Sequence, residues 1–323
     1  MEIKENEVVS NYVSPVEIKE KEEVKENINK AREIFLEKHI KTQKTSKIIS
    51  GVFFALTIVF VILGNYLPKL LGISFGVICA GLVGIWLLTR RQRKIMDEVI
   101  AKYLYAYSLN CNSYIFDKDV EDVQIGYKEK PNVEDVKKLC ISDEIAVINS
   151  RDVVKGKIEG KEFLSADVSL KTGNPKKERE QKAVFVGKVF MLDYSFKDEG
   201  RTFIYLKGCG DASPTKLSDV NKVDVNGLKR EWEVYSSHKN YSRIFNSSML
   251  KALNRISCNS TLNDLVISIV EDKVLVGFSY SDEAMIIPMN KDFETNHLEI
   301  KKENFEFLKE VNKSLLENSE FKK

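Results

Sequence analysis

Residues Ile48 to Leu67 read IISGVFFALTIVFVILGNYL, and residues Leu70 to Thr89 read LLGISFGVICAGLVGIWLLT. In the first block Ser50, Thr57 and Asn65 are the clearly polar residues, and the second block carries no charge. About 20 helical residues, each rising about 1.5 Å, span the roughly 30 Å hydrocarbon core of a bilayer. Each block is therefore long enough to cross a membrane. The segment between them, Gly64-Asn65-Tyr66-Leu67-Pro68-Lys69, carries chain breakers: glycine is permissive, and Pro68 lacks an N–H and pushes Leu67 out of helical geometry. The reading is a transmembrane helical hairpin over 48–89 with a tight turn, and Trp86 sits where an interfacial ring is favoured. A buried hairpin of a soluble protein is the bland alternative. Two uninterrupted apolar blocks beside mainly polar sequence weigh against it.

Working outward, Lys38, Lys41, Lys44 and Lys47 precede the first block, and Arg90, Arg91, Arg93 and Lys94 follow the second. The turn offers Lys69 alone. Basic residues near membrane ends stay on the cytoplasmic side, so these eight are read as topology determinants. The expected localisation is a cell membrane, crossed by two helices, with both termini cytoplasmic. The same bases could also attract anionic headgroups, a reading set second to the topological one. Gly72, Gly76, Ala80 and Gly84 recur every fourth residue, leaving a helix face without bulk for close packing. Gly51 and Ala55 of the first helix are the expected partners, and a homo-oligomeric contact is the alternative. Neither block contains Asp, Glu, Lys, Arg or His, which disfavours a transporter or channel.

Across the 323 residues, 50 Lys+Arg and 48 Asp+Glu nearly cancel, so no nucleic-acid partner is expected. The mean hydropathy is negative although the apolar blocks are dense, which means the chain must be read in parts. Five scattered cysteines, Cys79, Cys111, Cys140, Cys209 and Cys258, form no C-x-x-C pair and fit a reducing compartment better than a disulfide framework. The acidic, polar start Met1-Glu2-Ile3-Lys4 lacks the basic and apolar regions of a secretory signal.

Before the hairpin, Ser14-Pro15-Val16-Glu17 has the form of a capping box and predicts a long helix from Ser14. Val24, Ile28, Ala31 and Phe35 then give a heptad-like stripe, matched after the hairpin by Ile95/Met96, Val99/Ile100 and Tyr103/Leu104. A helical, coiled-coil-like stalk is expected, against the plainer reading of solvated charged helices. From about Tyr114 short β-like runs take over. Strands are read at 145–148, 152–158, 163–170, 183–194, 202–206, 265–270 and 274–278, with turns at Glu159-Gly160-Lys161, 197–200 and Glu271-Asp272. Helices are read at 247–256 and 304–316. The alternation of Val184, Val186, Lys188 and Phe190 is imperfect, which leaves the strand faces undecided.

The fold class is α+β, with a two-helix transmembrane hairpin, a helical stalk and a mainly antiparallel cytoplasmic domain. The segments are 1–13, a disordered N-terminus; 14–47, a charged arm; 48–89, the hairpin; 90–112, the stalk; and 113–323, the soluble domain.

Several short motifs occur together: Asp152-Val-Val-Lys-Gly156-Lys-Ile-Glu-Gly160; Val184-Phe-Val-Gly187 with Asp193 and Gly200-Arg-Thr202; Trp232-Glu-Val-Tyr235; and Arg243-Ile-Phe-Asn-Ser-Ser-Met249 with Phe293-Glu294. With the double apolar segment upstream, their order resembles bacterial membrane proteins of the domain-of-unknown-function 3137 family, over most of the chain from the hairpin onward. The resemblance implies a membrane anchor followed by a cytoplasmic domain, and supplies no catalytic residues.

Candidate sites are weak. Gly156, Gly160 and Gly187 are read as turn, bulge or close-approach positions in preference to a ligand-binding surface. Gly208-Cys209-Gly210-Asp211 is too short for a phosphate loop, and nothing places Cys209 beside His238. His39, His238 and His297 show no metal-binding spacing. Asp152, Asp193 and Glu294 could form a carboxylate set, though capping and turns explain them more simply. Lys176-Lys-Glu-Arg-Glu180 reads as a solvated loop tip, and Trp232, Tyr235 and Tyr241 as core aromatics before a binding patch. No catalytic, metal or cofactor residues are assigned, and no cofactor is expected. The functional expectation is a membrane-anchored, non-enzymatic binding or scaffold protein, whose partners are the lipid bilayer, a membrane or cytoplasmic protein, and in the alternative a second copy. The rival is a membrane-anchored hydrolase-like enzyme with a site assembled from distant residues.

Overall fold

The computed structural model describes residues 13–15, 19–66, 71–116, 120–126, 131–139, 141, 145–196, 200–206, 219–229, 231–256, 262–270, 272–280, 293 and 296–317. Of residues 13–15, 60, 63–66, 71–81, 85, 88, 178 and 296–297 it describes the backbone alone. In chain order the elements are β1 (Val13–Pro15), α1 (Lys21–Tyr66), α2 (Leu71–Ile115), β2 (Val120–Gly126), α3 (Val133–Lys137), β3 (Ile145–Ile158), β4 (Lys161–Thr172), β5 (Lys182–Asp193), β6 (Arg201–Leu206), β7 (Asn221–Val223), β8 (Trp232–Ser236), α4 (Ser247–Ile256), β9 (Leu262–Val270), β10 (Lys273–Tyr280) and α5 (Asn296–Leu316). The chain divides into two compact units, one of residues 1–24, 108–287 and 294–323, the other of 25–107 and 288–293.

The first unit is α+β. Its described strands form one antiparallel sheet in the order β1-β2-β3-β4-β5-β10-β9-β6-β8-β7. Both faces of the central strands are covered. Ala166, Val168, Val189, Met191, Val266 and Leu275 pack with Val136 and Leu139 around α3 on one face. On the other, the rings of Phe163, Phe190 and Phe278 meet Phe305 and Phe307 of α5. Strands buried on two sides have no polar face to alternate with, which explains the imperfect two-residue period of β5. β3 and β4 join through Glu159 (φ 50°) and Gly160 (φ 74°). Positive φ at both residues is the two-residue turn whose twist suits a hairpin, as the sequence indicated. Gly187 is a close-approach position: a Cβ there would lie 1.9 Å from the Phe278 carbonyl oxygen.

Three expectations need correction. The described part of α1 begins at Lys21, with Glu22 and Glu23 favouring its positive N-terminal end. Ser14 caps no helix, because Val13–Pro15 pairs with Gln124–Gly126 as an edge strand, a place where proline's missing N–H costs nothing. The unit that was expected to start at residue 113 thus takes in chain from before the two long helices and from the end of α2. Residues 145–148 and 152–158 are one strand, interrupted by a bulge between Arg151 and Val154 and not by a turn. Residues 1–12, read as disordered, the turn at 197–199 and Glu271 lie outside the described residues.

The second unit is built on α1 and α2, 46 and 45 residues long. At about 1.5 Å per residue each reaches nearly 70 Å. The expected turn residues 67–70 lie outside the described residues, and the flanking helices end at Tyr66 and resume at Leu71. Ile28 and Phe35 of the predicted stripe are buried, and Phe35 stacks on Tyr103 of α2 with centroids 5.3 Å apart. Ala31, Phe35, Val99 and Tyr103 floor a cleft of about 250 Å³ between the two helices, rimmed by Lys38, Glu98 and Lys102. Phe293 closes the unit, its N–H bonded to Asn29 Oδ1 (2.9 Å) and its ring on edge to Tyr107. Among the described residues no helix is long and apolar enough to cross a membrane; of the two apolar blocks, residues 67–70 lie outside the described residues and 60, 63–66, 71–81, 85 and 88 are described by backbone alone.

Candidate functional site

The densest convergence of charge among the described residues is buried in the α+β unit, beneath α5 and the last turns of α2. The bulge in β3 holds Asp152 in the left-handed region (φ 56°). That conformation is uncommon outside glycine and small polar residues, and it turns the carboxylate into the interior. Asp167 on β4 and Lys188 on β5 are cross-strand neighbours in register. Lys301 reaches down from α5. Lys188 is fully buried, its Nζ 3.1 Å from Asp167 Oδ1 and 3.5 Å from Asp152 Oδ2. Lys301 Nζ lies 3.4 Å from Asp167 Oδ2 and 3.7 Å from Asp152 Oδ2.

Two acids and two bases make a neutral tetrad. Each buried charge would be costly alone, and the mutual arrangement offsets that cost. Burial opposes ionisation of Asp167, but the charges of Lys188, Lys301 and Arg151 outweigh it and hold the carboxyl far below the usual carboxylate range. Asp152 is tied as well to the end of α2, accepting hydrogen bonds from Ser108 Oγ and from Asn112 Nδ2 (2.5 Å). The tetrad therefore pins the end of α2, from Ser108 to Asn112, and α5 to the same three strands. Around it Ser165 Oγ, the Tyr280 hydroxyl, Asn112 Oδ1 and both polar atoms of the Asn304 side chain are buried and have no hydrogen-bond partner among the described residues. Burial pushes the Tyr280 hydroxyl well above the ordinary tyrosine range, with Lys301 opposing and Asp167 adding to it.

Chemically these groups are spent on one another. The arrangement can lock helices to a sheet; it offers no exposed nucleophile. An open cleft of about 580 Å³ lies elsewhere on this unit, between the end of the β3–β4 hairpin and α5. Of its four acids three are engaged: Glu159 accepts from Asn312 Nδ2 (2.8 Å), Glu306 pairs with Lys309 (3.2 Å) and Glu310 with Arg255 (2.7 Å).

The residues singled out in the sequence are dispersed. Of the carboxylate set, Asp152 joins the tetrad, Asp193 pairs with Lys273 (2.8 Å) at the end of β5, and Glu294 lies outside the described residues. His238 is buried, its Nδ1 2.8 Å from Thr202 Oγ1, while Cys209 lies outside the described residues. His39 stacks on Phe35 and meets Gln43 Nε2, and the side chain of His297 is not described. No group of His, Cys, Asp or Glu with metal-binding geometry occurs among the described residues. Trp232 is buried, Tyr235 packs edge-on to Tyr205, and Tyr241 is half-buried outside that pair.

In the helical unit Lys38, Lys41, Lys44, Lys47, Arg90, Arg91, Arg93 and Lys94 are all exposed. Gly51 and Ala55 are exposed too, and a Cβ added at Gly51 or Gly84 would meet nothing within 4 Å. Gly72, Gly76 and Ala80, the residues expected to pack against Gly51 and Ala55, are described by backbone alone.

The tetrad escaped the sequence reading. Lys301 falls in a charged helix and Asp167 in a polar-looking stretch. The one available signal was Lys188, a lone base inside the otherwise apolar run Val184 to Leu192.

No family model matches the chain, and no curated protein matches it. Among solved structures it is similar to the mycobacterial trehalose monomycolate transport factor A, with 14% identity over 61% of this chain and 86% of that one, at a TM-score of 0.34.

Proposed function

We propose that the chain is a membrane-anchored, non-enzymatic binding or scaffold protein, in which α1 and α2 cross the bilayer over residues 48–89 and the α+β unit recruits a membrane or cytoplasmic protein. This reading also keeps the resemblance to the domain-of-unknown-function 3137 proteins. The observation that carries it is a run of large apolar side chains exposed on both helices. Ile48 (66% exposed), Val52, Phe54 (68%), Leu56, Ile58, Val59, Val61 and Ile62 lie on α1, and Leu82, Val83, Trp86 (59%) and Leu87 on α2. Such a surface in water would be an aggregation hazard, and a hydrocarbon solvent removes the penalty. Each helix is also more than twice as long as the roughly 30 Å apolar core, which leaves length for a stalk.

The binding role is supported by the mutual ion pairing of the tetrad and by the pairs that hold Glu306 and Glu310 in the open cleft. The test is extraction of membranes carrying the full chain with alkaline carbonate, followed by capture in mild detergent. Retention in the pellet and recurrent recovery of one partner protein are expected. Release into the supernatant would sink the anchor, and recovery of this chain alone would sink the recruiting role.

A further inference from the structure

The charge of the chain is segregated. From Lys38 to Met96 there are nine bases, Lys69 among them, and no acid, while the rest of the chain has 41 bases against 48 acids, a balance of −7. Eight of the nine bases have described side chains, and all eight are exposed; among the described residues none is drawn into an ion pair with an acid. Each cluster directly adjoins an exposed apolar run: Lys47 precedes Ile48, and Arg90 follows the run ending in Trp86 and Leu87. The Arg90 guanidinium lies 5.5 Å from the centre of the Trp86 ring, the pairing of interfacial aromatic and cation expected at headgroup depth.

We infer that Lys38, Lys41, Lys44, Lys47, Arg90, Arg91, Arg93 and Lys94 form a collar that selects anionic phospholipid headgroups in the leaflet they face. The inference rests on the anchored reading above and adds the lipid class. A soluble polyanion would account for the bases but not for the exposed Ile48, Phe54 and Trp86 beside them; a leaflet supplies phosphate and hydrocarbon at the depths these residues require. The acidic balance of the remaining chain strengthens the contrast, because the same surface repels it. Lysines spread around α1 give point charges, whereas the arginines of α2 present planar forks suited to phosphate oxygens.

The test uses the full chain reconstituted in phosphatidylcholine vesicles doped with brominated phosphatidylglycerol or brominated phosphatidylcholine, with Trp86 fluorescence as the readout and a Trp86→Phe variant supplying the Trp232 background. Half-quenching is expected at a mole fraction of phosphatidylglycerol at least about threefold lower than of phosphatidylcholine, a free-energy preference of about 0.65 kcal/mol by the usual conversion. The preference should shrink in the R90Q/R91Q/R93Q/K94Q variant, vanish when K38Q/K41Q/K44Q/K47Q is added to it, and shrink in high salt, while quenching by phosphatidylcholine persists. Equal quenching by both lipids overturns the lipid selectivity and leaves the anchor standing. Quenching by neither overturns the anchor itself. Loss of the preference on adding inorganic phosphate, where sodium chloride of the same ionic strength leaves it in place, would assign the collar to free phosphate and overturn the headgroup assignment.

Discussion

Replacing Lys188 by Met removes a fully buried ammonium and keeps most of its volume. At an effective dielectric of about 20, the contacts at 3.1 Å to Asp167 and 3.5 Å to Asp152 are each worth about 5 kcal/mol of attraction. Most of this is offset because the lysine no longer has to leave water. What remains is two buried carboxylates sharing Lys301, and removal of one partner from such a network costs about 3–5 kcal/mol. Urea unfolding of the full chain in detergent, followed by Trp232 emission in a Trp86→Phe background, measures it.

The loss should be largest near neutral pH. In the parent, Asp167 has its carboxyl depressed in the folded state, so its contribution is fully present above the unfolded value of about 3.9 and is lost as pH falls through the folded value. In Lys188→Met the folded carboxyl titrates higher, so the variant takes up a proton as pH falls from 7 and its deficit narrows toward pH 4. Removing both charges, in Lys188→Met with Asp167→Leu, should restore at least half of the lost stability. A single-variant loss below about 1 kcal/mol at pH 7, or a double variant no better than the single, would refute the reasoning.

Gly187→Ala must push β5 and β10 apart at the Phe278 carbonyl and should cost about 3 kcal/mol or more in the same unfolding assay, whereas Gly160→Ala, strained only by its φ of 74°, should cost about 1–2 kcal/mol. Tyr194→Phe loses hydrogen bonds to Asn312 and should cost about 1–2 kcal/mol, while Tyr280→Phe deletes a buried hydroxyl without a partner among the described residues and should be neutral or stabilising. Burial holds both hydroxyls protonated above the ordinary tyrosine range, so their contribution is present below about pH 10 and is lost as pH rises further. Stability measured against alkaline pH should therefore fall less steeply in each Phe variant than in the parent.

Local signals carried far into the fold. Glu159-Gly160 marked a hairpin because positive φ has few hosts, and Phe305, Leu308, Val311 and Leu315 marked α5 because one apolar face must be buried. β1, β2 and β7 left little trace. Val13–Pro15 and Asn221–Val223 are three-residue edges whose pairing comes from partners elsewhere in the chain, and β2 carries its own irregularity at Asp122. Ser14-Pro15 misled because proline suits a helix start and an edge strand for the same reason, the missing N–H. The tetrad was out of reach for a different reason: Lys301 meets Asp167 across 134 positions, and only register and the Asp152 bulge bring the four groups together.

The central claim is that the long helices anchor the chain with its α+β unit on the basic side of the membrane. Single cysteines placed at Asn65 and at the exposed Lys176, in a chain stripped of its five native thiols, can be labelled in intact cells with a membrane-impermeant maleimide. The account predicts labelling at position 65 and protection at 176 until lysis. Labelling at 176 in intact cells, or protection of both positions in a chain that washes off the membrane, would contradict it.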